Sequence, residues 1–246
     1  MSTLDGKIAF VTGASSGLGA ETARLLSRRG ATVFGIGRDT TRLAAVFADV
    51  EHGAHASVDI ASAQACRDAI ERCVRELGGL DVLINIAGRH QMRRTESMTD
   101  DEWTQDLAVN LDGPFHLCRA ALPYLLERGG NIVNVSSIAG VEGQAYSAGY
   151  CAAKHGLIGL TRALAVEYTA DRLRVNAVCP GGMLTPQIEQ FTAPENPNYD
   201  LIMRTASPRG MMQPLDVATV IAFLASDDAA AIHGAVYRVD NGKGAG

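Results

Sequence analysis

The amino-acid sequence predicts an α/β fold in which a parallel sheet is covered by helices on both faces. Three observations support this prediction. Short apolar runs recur along the 246 residues, stretches with helical spacing lie between them, and a glycine-rich turn separates the first strand from the first helix. Because 47% of the residues are hydrophobic and 20% are charged, we expect one domain over residues 1–246 with a sizeable core.

The first element is the apolar run KIAFVT, which is followed by the glycine-rich GASSGLG and a helical stretch that ends near Arg29. This is one strand–turn–helix unit, and the pattern then repeats. Strands are predicted over residues 7–12, 31–37, 55–60, 81–88, 131–137, 174–180 and 235–239. Helices are predicted from the glycine-rich turn to Arg29, over residues 40–48, 62–77, 149–168 and 215–226, and more than one helix is predicted between residues 100 and 127.

Two segments carry additional signals. The helix at 62–77 places Cys66, Ile70 and Cys73 on one face, because these residues are four and three positions apart. The segment TPQIEQFTAPENPNYD at 185–200 contains three prolines and has no regular periodicity. Irregular segments of this length are typical of lids and binding loops. We therefore interpret residues 185–210 as a substrate loop.

Composition and charge argue against several classes of protein. The net charge is −5, from 22 basic and 27 acidic residues, so no nucleic-acid surface is expected. No run of 18 apolar residues indicates a membrane helix, and MSTLDGKIAF lacks the pattern of a secretion signal, which predicts a cytoplasmic location. Five cysteines without a CxxC motif predict neither disulfides nor a metal site. His52 and His55 are three residues apart but have no further ligand candidates nearby.

Glycines lie between the first strand and the first helix at Gly13, Gly17 and Gly19. Glycine permits a tight turn and lets a pyrophosphate approach the N–H groups at the positive end of a helix. The turn would use Ser15, Ser16 and Leu18 as well. Its spacing is not G-x-G-x-x-G, and a glycine triplet is also compatible with a purely structural turn.

The stretch AYSAGYCAAKH contains Tyr146 and Tyr150, and only Tyr150 has a lysine, Lys154, four residues further on. Residues four apart share a helix face, so the phenol and the ammonium can point into one cleft. Lowering the tyrosine pKa by ~3 from ~10 corresponds to ~4 kcal/mol. One cation ~4 Å away supplies ~4 kcal/mol at an effective dielectric of ~20. The pair therefore indicates a general acid/base, although a lysine stem that covers a surface ring would look the same.

Several motifs occur in one order along the chain: TGASSGLG (12–19), VDI (58–60), NIAG (85–88), Asn110, Ser137 with Tyr150 and Lys154, and PGGMLT (180–185). Over residues 5–242 the sequence resembles the short-chain dehydrogenase/reductase family, with Ile86 where that family usually has asparagine. The resemblance implies a Rossmann-like doubly wound sheet of seven parallel strands with three helices on each face. It also implies a nicotinamide cofactor, a carbonyl or secondary-alcohol substrate, and a homotetramer.

The resemblance suggests roles for the remaining catalytic candidates. Ser137 ends the fifth strand and would hydrogen-bond the substrate's carbonyl oxygen, while Ser136 faces the opposite way. By the family pattern, Asn110 holds a water that links Lys154 to solvent. Tyr146 lacks the lysine and is expected to line the cleft.

Cofactor preference depends on the end of the second strand, FGIGRD. NAD enzymes of this shape place a carboxylate there for the ribose hydroxyl, whereas this chain has Gly37 followed by Arg38. An arginine suits a 2′-phosphate, so NADP(H) is favoured over NAD(H). Ser16 stands where many NADP enzymes of the family have a basic residue, and Asp39 would partly offset Arg38. The alternative is that Arg38 is a solvated loop charge.

Further contacts are expected by analogy with the family. The adenosine side would be lined by Asp59, Ile60, Asn85, Ala87 and Gly88. The nicotinamide end would be lined by Pro180, Gly181, Met183 and Thr185. The substrate would meet His90, Ser137, Ile138, Gln144, Tyr146, Met183 and the loop through Ile188, Phe191 and Tyr199.

The sequence leaves the substrate open between simple ketones, sugars, steroids and 3-oxoacyl groups on an acidic carrier protein, for which Arg128 and Arg172 could provide a docking site. A second class of function also stays open. The chain could bind a dinucleotide as a sensor or regulator and catalyse nothing. The complete set of Ser137, Tyr150, Lys154 and Asn110 favours the enzyme, because a sensor does not need a proton relay.

Overall fold

The computed structural model describes residues 3–189 and 192–245. Within these residues, seven strands form one parallel sheet. They are β1 (Ile8–Thr12), β2 (Thr32–Gly37), β3 (Gly53–Ser57), β4 (Val82–Asn85), β5 (Asn131–Val135), β6 (Arg174–Pro180) and β7 (Val236–Val239). Their order across the sheet is β3-β2-β1-β4-β5-β6-β7. The predicted seven-stranded parallel sheet is therefore confirmed.

Helices cover both faces of this sheet, as predicted. In the described part of the chain they are α1 (Gly17–Arg28), α2 (Thr40–Phe47), α3 (Ala63–Leu77), α4 (Asp100–Leu107), α5 (Gly113–Arg128), α6 (Ala148–Glu167), α7 (Pro186–Glu189), α8 (Tyr199–Met203) and α9 (Pro214–Ala225). One apolar core lies between the sheet and α1, α2 and α9. A second core lies between the sheet and α3, α5 and α6.

Burial on both faces explains why the central strands are continuously apolar. Every residue of β1, β4 and β5 is buried, because helices cover both sides of a doubly wound sheet. The rings of Phe10 in β1 and Phe34 in β2 stack with their centroids 5.4 Å apart. Since β1 pairs with both β2 and β4, the strand order reverses there. The chain segments after β1 and β4 diverge and leave a crevice at the carboxyl ends of the strands.

The region 100–127, for which helices were predicted, contains two α-helices, α4 and α5. A π-helical turn at Ala108–Asp112 separates α4 from α5. Two residues account for this turn. The side-chain amide of Asn110 donates to the carbonyl of Asp106 at 3.0 Å, the acceptor that an α-helix would assign to the Asn110 N–H. Pro114 has no N–H, so the Asn110 carbonyl also lacks its α-helical donor.

The other differences are smaller. β3 is Gly53–Ser57 instead of 55–60, and β4 ends at Asn85 instead of 88. The segment predicted to be irregular contains the short helices α7 and α8.

Asp81 links three elements at the amino-terminal edge of the sheet. The N–H of Ile8 donates to Asp81 Oδ2 at 2.8 Å, and the Asp81 N–H donates to the Ile8 carbonyl at 2.9 Å. Arg128, at the end of α5, donates through Nε to Asp81 Oδ1 at 2.7 Å. Because Asp81 itself is buried, its carboxylate provides an acceptor that water cannot easily replace.

We predict that Asp81→Ala lowers the free energy of unfolding by about 1–3 kcal/mol, since it leaves the buried Ile8 N–H without an acceptor. Asp49→Ala is the matched control, because Asp49 is exposed in its ion pair with Arg24 and should cost about 0.5 kcal/mol or less. Urea titrations of the wild type and the two variants, at the same protein concentration, measure the difference in the free energy of unfolding. Equal losses for the two variants would contradict the assignment.

Candidate active site

Four polar residues converge at the carboxyl end of β5 and the beginning of α6. Ser137 follows β5 and caps a 3₁₀ turn at Ile138–Gly140, where its Oγ accepts from the Ala139 N–H at 3.1 Å. Tyr150 and Lys154 lie in the first two turns of α6. Asn110 lies in the π-helical turn that packs against α6. The structure therefore brings together the four residues that the sequence singled out.

Lys154 is almost completely buried, with 3% of its surface exposed. Its Nζ donates to the carbonyl of Val135 at 2.9 Å and lies 5.7 Å from the centroid of the Tyr150 ring. Burial lowers the pKa of Lys154 to about 8, because the charged amine loses its hydration. At neutral pH the amine still carries its proton in most molecules and provides a cation beside the phenol.

Burial acts on Tyr150 in the opposite direction. It raises the pKa of the phenol to about 12, and a hydrogen bond with Ser137 opposes this shift. Tyr150 is thus protonated throughout the physiological pH range when nothing else is bound. A phenol in this state can donate a proton to a substrate oxygen, but it can accept one only if additional positive charge stabilises the phenolate.

Asn110 is fully buried, and its side chain is held on both sides. Its Nδ2 donates to the carbonyls of Arg89 and Asp106, both at 3.0 Å, and its Oδ1 accepts from the Arg89 N–H at 3.1 Å. These bonds fix the side chain between the segment after β4 and the end of α4.

Ser136 and Ser137 face opposite ways, as expected for neighbours on a strand. The Ser136 hydroxyl is buried and donates to the main-chain carbonyl of Lys154 at 2.9 Å. It therefore attaches α6 to β5, while Ser137 bonds to Tyr150.

The glycine-rich turn has the shape that a pyrophosphate needs. Gly13 and Gly17 have φ angles of +70° and +53°, which favour glycine. A Cβ at Gly19 would lie 2.1 Å from the Gly13 carbonyl oxygen, so the turn folds directly onto α1. Ser16 is the N-cap of this 12-residue helix but makes no side-chain capping bond, and no acidic residue lies in the first turn. The residues thus fit a dinucleotide phosphate at the positive end of α1.

The remaining predicted cofactor residues differ in their surroundings. Ala87 and Thr185 pack against Gly13 and Gly17 respectively. Ser15 lies beside Gly37, and Leu18 is buried. Asp59 is exposed, and its carboxylate accepts from the Ala61 N–H at 3.0 Å. Gly88 lies beside the side chains of Asn110 and Lys154. Pro180 ends β6 and is followed by Gly181, and Met183 forms a β-bridge with Met212. Ile60 is buried.

The side chain of Asn85, a residue expected to line the adenosine side, is held within the sheet. It is buried between strands, where its Nδ2 donates to Asn134 Oδ1 at 2.8 Å. Asn134 in turn donates to Thr161 Oγ1 at 2.9 Å. This chain of side chains connects β4, β5 and α6 beneath the site.

The sequence analysis also missed the role of Thr12. Its hydroxyl oxygen accepts from the N–H groups of Ile86 and Ala87, both at 2.8 Å. It thereby joins the glycine-rich turn to the segment after β4 across the crevice. The threonine that precedes the first glycine was a usable signal for this contact.

The end of β2 has no carboxylate at Gly37. A Cβ at this position would lie 2.9 Å from Ser15 Oγ, so a larger side chain would press on the turn. Asp39 caps α2 by accepting from the Arg42 N–H at 3.0 Å and pairs with Arg42 Nε at 3.2 Å. Arg38 is exposed, and no carboxylate among the described residues pairs with it.

The substrate side of the site is formed by a mixed set of residues. The imidazole of His90 stacks on the Tyr150 ring, with 4.4 Å between the centroids. Ile138 is buried, and Gln144 is partly exposed. In the substrate loop, Ile188 and Tyr199 are both exposed. Phe191, which was also expected here, lies outside the described residues.

Tyr146 contacts the substrate loop. Its hydroxyl accepts from the Asn198 N–H at 2.9 Å, and the Arg94 guanidinium lies over its ring, 5.6 Å from the centroid. Arg94 also donates to the carbonyls of Asn196 at 2.7 Å and Glu195 at 3.3 Å. We call Arg94, Tyr146 and residues 195–198 the loop junction. Tyr146 has a φ of +60°, a conformation that costs about 1–3 kcal/mol in a non-glycine residue.

Several alternatives from the sequence receive no structural support. Arg128, half of the suggested carrier-docking pair, is bonded to Asp81. No group of three or more metal-ligating side chains occurs in residues 3–189 and 192–245. In those same residues, no helix has the length and apolar character needed to span a membrane.

Comparisons with known proteins agree with this geometry. A family model described as enoyl-(acyl carrier protein) reductase matches residues 13–243. A short-chain dehydrogenase/reductase of Penicillium canescens is 36% identical over 98% of both chains. A 3-oxoacyl-[acyl-carrier-protein] reductase of Thermotoga maritima is 35% identical over 97% of this chain and 98% of its own. The structure of carveol dehydrogenase from Mycobacterium avium in complex with NAD superimposes with a TM-score of 0.89, at 28% identity over 99% of both chains. The chain belongs to the short-chain dehydrogenase/reductase family and is an NAD(P)-dependent oxidoreductase that transfers hydride between a nicotinamide and a carbonyl or secondary-alcohol substrate.

Proposed function

We propose that Tyr150 carries the proton in this reaction and that NADP(H) is the preferred cofactor. The observation that supports the proposal best is the convergence of Tyr150, Ser137 and Lys154 at the carboxyl end of β5. The Tyr150 phenol interacts with the Ser137 hydroxyl, and the Lys154 amine lies 5.7 Å from the centroid of the Tyr150 ring. A bound nicotinamide cofactor supplies the hydride for reduction or accepts it in alcohol oxidation.

In ketone reduction, the Tyr150 hydroxyl donates its proton to the substrate's carbonyl oxygen as negative charge develops there. Ser137 Oγ accepts a hydrogen bond from the Ala139 N–H. The Ser137 hydroxyl donates its own proton to a second lone pair of the substrate's carbonyl oxygen. The Lys154 ammonium then stabilises the tyrosinate that remains. The opposite proton transfers occur in alcohol oxidation, where the tyrosinate must form first.

Proton exchange with solvent would pass through the Lys154 amine and a water held by Asn110. Because Pro114 has no N–H, the main-chain carbonyl of Asn110 lacks its α-helical donor and is able to accept from this water. The Asn110 side chain is held by Arg89 and Asp106.

Preference for NADP(H) is supported by the end of β2. Gly37 offers no carboxylate, Asp39 is engaged with Arg42, and the Arg38 guanidinium is exposed beside the turn. A guanidinium in this position suits a 2′-phosphate. We also propose a homotetramer, supported by Phe115 on α5 and Val166 on α6, which are 41% and 76% exposed.

The intact proton-transfer set favours an enzyme over a sensor that only binds the dinucleotide. A sensor would need the glycine-rich turn but gains nothing from burying a lysine beside a tyrosine, since burying a charged group costs free energy. Within the enzyme class, a carrier-bound 3-oxoacyl substrate stays the alternative, because a relative that is 35% identical to this chain is a 3-oxoacyl-[acyl-carrier-protein] reductase.

We predict that Tyr150→Phe abolishes turnover but retains cofactor binding, since only the phenolic proton is removed. Tyr146→Phe is the matched control and should retain most of kcat, because its hydroxyl bonds to the Asn198 N–H. NADPH oxidation with a ketone panel measures turnover, and nicotinamide fluorescence measures binding. Substantial turnover by Tyr150→Phe would refute the assignment.

We predict that the wild-type protein binds NADPH more tightly than NADH, and that Arg38→Leu weakens NADPH binding about 10- to 100-fold, the value of one hydrogen bond to a charged group. NADH affinity should change less than about twofold, because NADH lacks the 2′-phosphate. Arg67→Leu, on the surface of α3, is the control. Fluorescence titration with each cofactor gives the ratio, and tighter binding of NADH by the wild type would count against the proposal.

We predict opposite pH dependences for the two directions. Reduction needs the protonated phenol and should slow as pH rises, whereas oxidation needs the tyrosinate and should accelerate. Lys154→Met should raise the apparent pKa of alcohol oxidation by about 2 or more, since a cation is removed. Lys7→Met, whose partner Asp227 is exposed, should leave it unchanged. Profiles of kcat/KM against pH test this, and an identical profile for Lys154→Met would exclude the role.

A further inference from the structure

His90 lies directly against the proposed proton donor. It follows β4 and is partly buried, and its ring stacks on Tyr150 with centroids 4.4 Å apart and planes inclined by 31°. Its Nε2 is 2.8 Å from Ser147 Oγ. The imidazole therefore forms one wall of the cleft beside the phenol, and the proton-transfer set does not use it.

The hydrogen bonds assign the tautomer of this imidazole. Ser147 Oγ donates its one proton to the Ala145 carbonyl at 3.1 Å, so it must accept from His90 Nε2–H. In the neutral ring the other nitrogen, Nδ1, then carries a lone pair. Within residues 3–189 and 192–245, no group is hydrogen-bonded to Nδ1. The imidazole that packs against the Tyr150 ring thus presents a hydrogen-bond acceptor.

The surroundings keep this acceptor neutral. Burial, and then the positive charges of Arg93 and Lys154, lower the pKa of His90 to about 4. A protonated imidazole, which would attract a carboxylate, does not form at neutral pH. The neighbouring arginines are also engaged, because Arg89 and Arg93 both pair with buried Asp106. A substrate group that faces Nδ1 must therefore be a hydrogen-bond donor, and a carboxylate is disfavoured there.

We propose that His90 is a specificity-determining residue whose Nδ1 accepts a hydrogen bond from a hydroxyl on the carbon next to the substrate's carbonyl. The substrates would be α-hydroxyketones, and the products vicinal diols. Because the rings of His90 and Tyr150 lie against each other, one small molecule can reach both side chains, with its carbonyl oxygen at Tyr150 and its hydroxyl at His90. This inference rests on the proposed role of Tyr150.

The balance of the reaction is simple. The carbonyl carbon gains a hydride from the reduced nicotinamide, and the carbonyl oxygen gains the Tyr150 proton. The C=O double bond becomes a C–OH single bond. The second hydroxyl, held by His90, keeps its proton and serves only for orientation.

Matched pairs of ketones test the proposal. The pairs are 3-hydroxybutan-2-one with butan-2-one, and 2-hydroxycyclohexanone with cyclohexanone. For each protein the readout is the ratio of kcat/KM between the hydroxylated and the plain ketone. If His90 merely supports the Tyr150 ring, a substitution slows both members equally and leaves the ratio unchanged.

We expect the wild type to prefer the hydroxyketones and His90→Leu to lose about tenfold of that preference, the value of one neutral hydrogen bond. His90→Gln should keep part of it, because its amide oxygen can accept. His155→Leu is the control, since His155 is exposed on α6 and bonds the Cys151 carbonyl.

Three outcomes would overturn the inference: a wild-type ratio near one, a ratio that His90→Leu leaves unchanged, or reduction of plain ketones but of no hydroxyketone. In each of these cases the proposed role of Tyr150 still stands, provided that Tyr150→Phe is inactive on the plain ketones. If neither member of any pair is reduced with NADPH or NADH, the α-hydroxyketone class is excluded and the proposed ketone reduction fails for these substrates as well.

Discussion

The burial of one lysine amine constrains much of the structure around the site. Lys154 donates to the Val135 carbonyl at 2.9 Å, which requires α6 to lie close to the end of β5. That approach leaves no room for side chains at two glycines. A Cβ at Gly140 would lie 2.7 Å from the Lys154 carbonyl oxygen, and one at Gly88 would lie 2.9 Å from Asn110 Oδ1 and 3.4 Å from the amine. Glycines far apart in the sequence thus serve one packing requirement.

The same low polarity gives the two ionisable groups their complementary properties. Burial raises the pKa of Tyr150 and lowers that of Lys154, so each group is driven toward its neutral form. The Tyr150 phenolate therefore forms only when additional positive charge stabilises it. Binding of a positively charged group in the crevice therefore changes the protonation of Tyr150 and Lys154. The phenolate forms only when the site is occupied.

Local and periodic signals made the fold and the central residues predictable from the sequence. Apolar runs identified the strands, and a four-residue spacing identified Tyr150 and Lys154. The π-helical turn at Ala108–Asp112 was not predicted, because it depends on the side chain of Asn110 competing for a main-chain carbonyl. The inward orientation of Asn85 depends on Asn134, 49 residues away. The Arg94 contact with residues 195 and 196 spans about a hundred positions and uses main-chain carbonyls as acceptors. Every residue has such a carbonyl, so the residue types do not indicate the contact.

The loop junction has a consequence for how this enzyme can diversify. Arg94 and Tyr146 hold the substrate loop through three main-chain groups, the carbonyls of Glu195 and Asn196 and the N–H of Asn198. Every non-proline residue presents these groups. Mutations can therefore change the loop side chains at positions 195 and 196 while the attachment persists. The attachment is encoded by main-chain atoms, so sequence change in this segment does not require a change in Arg94 or Tyr146.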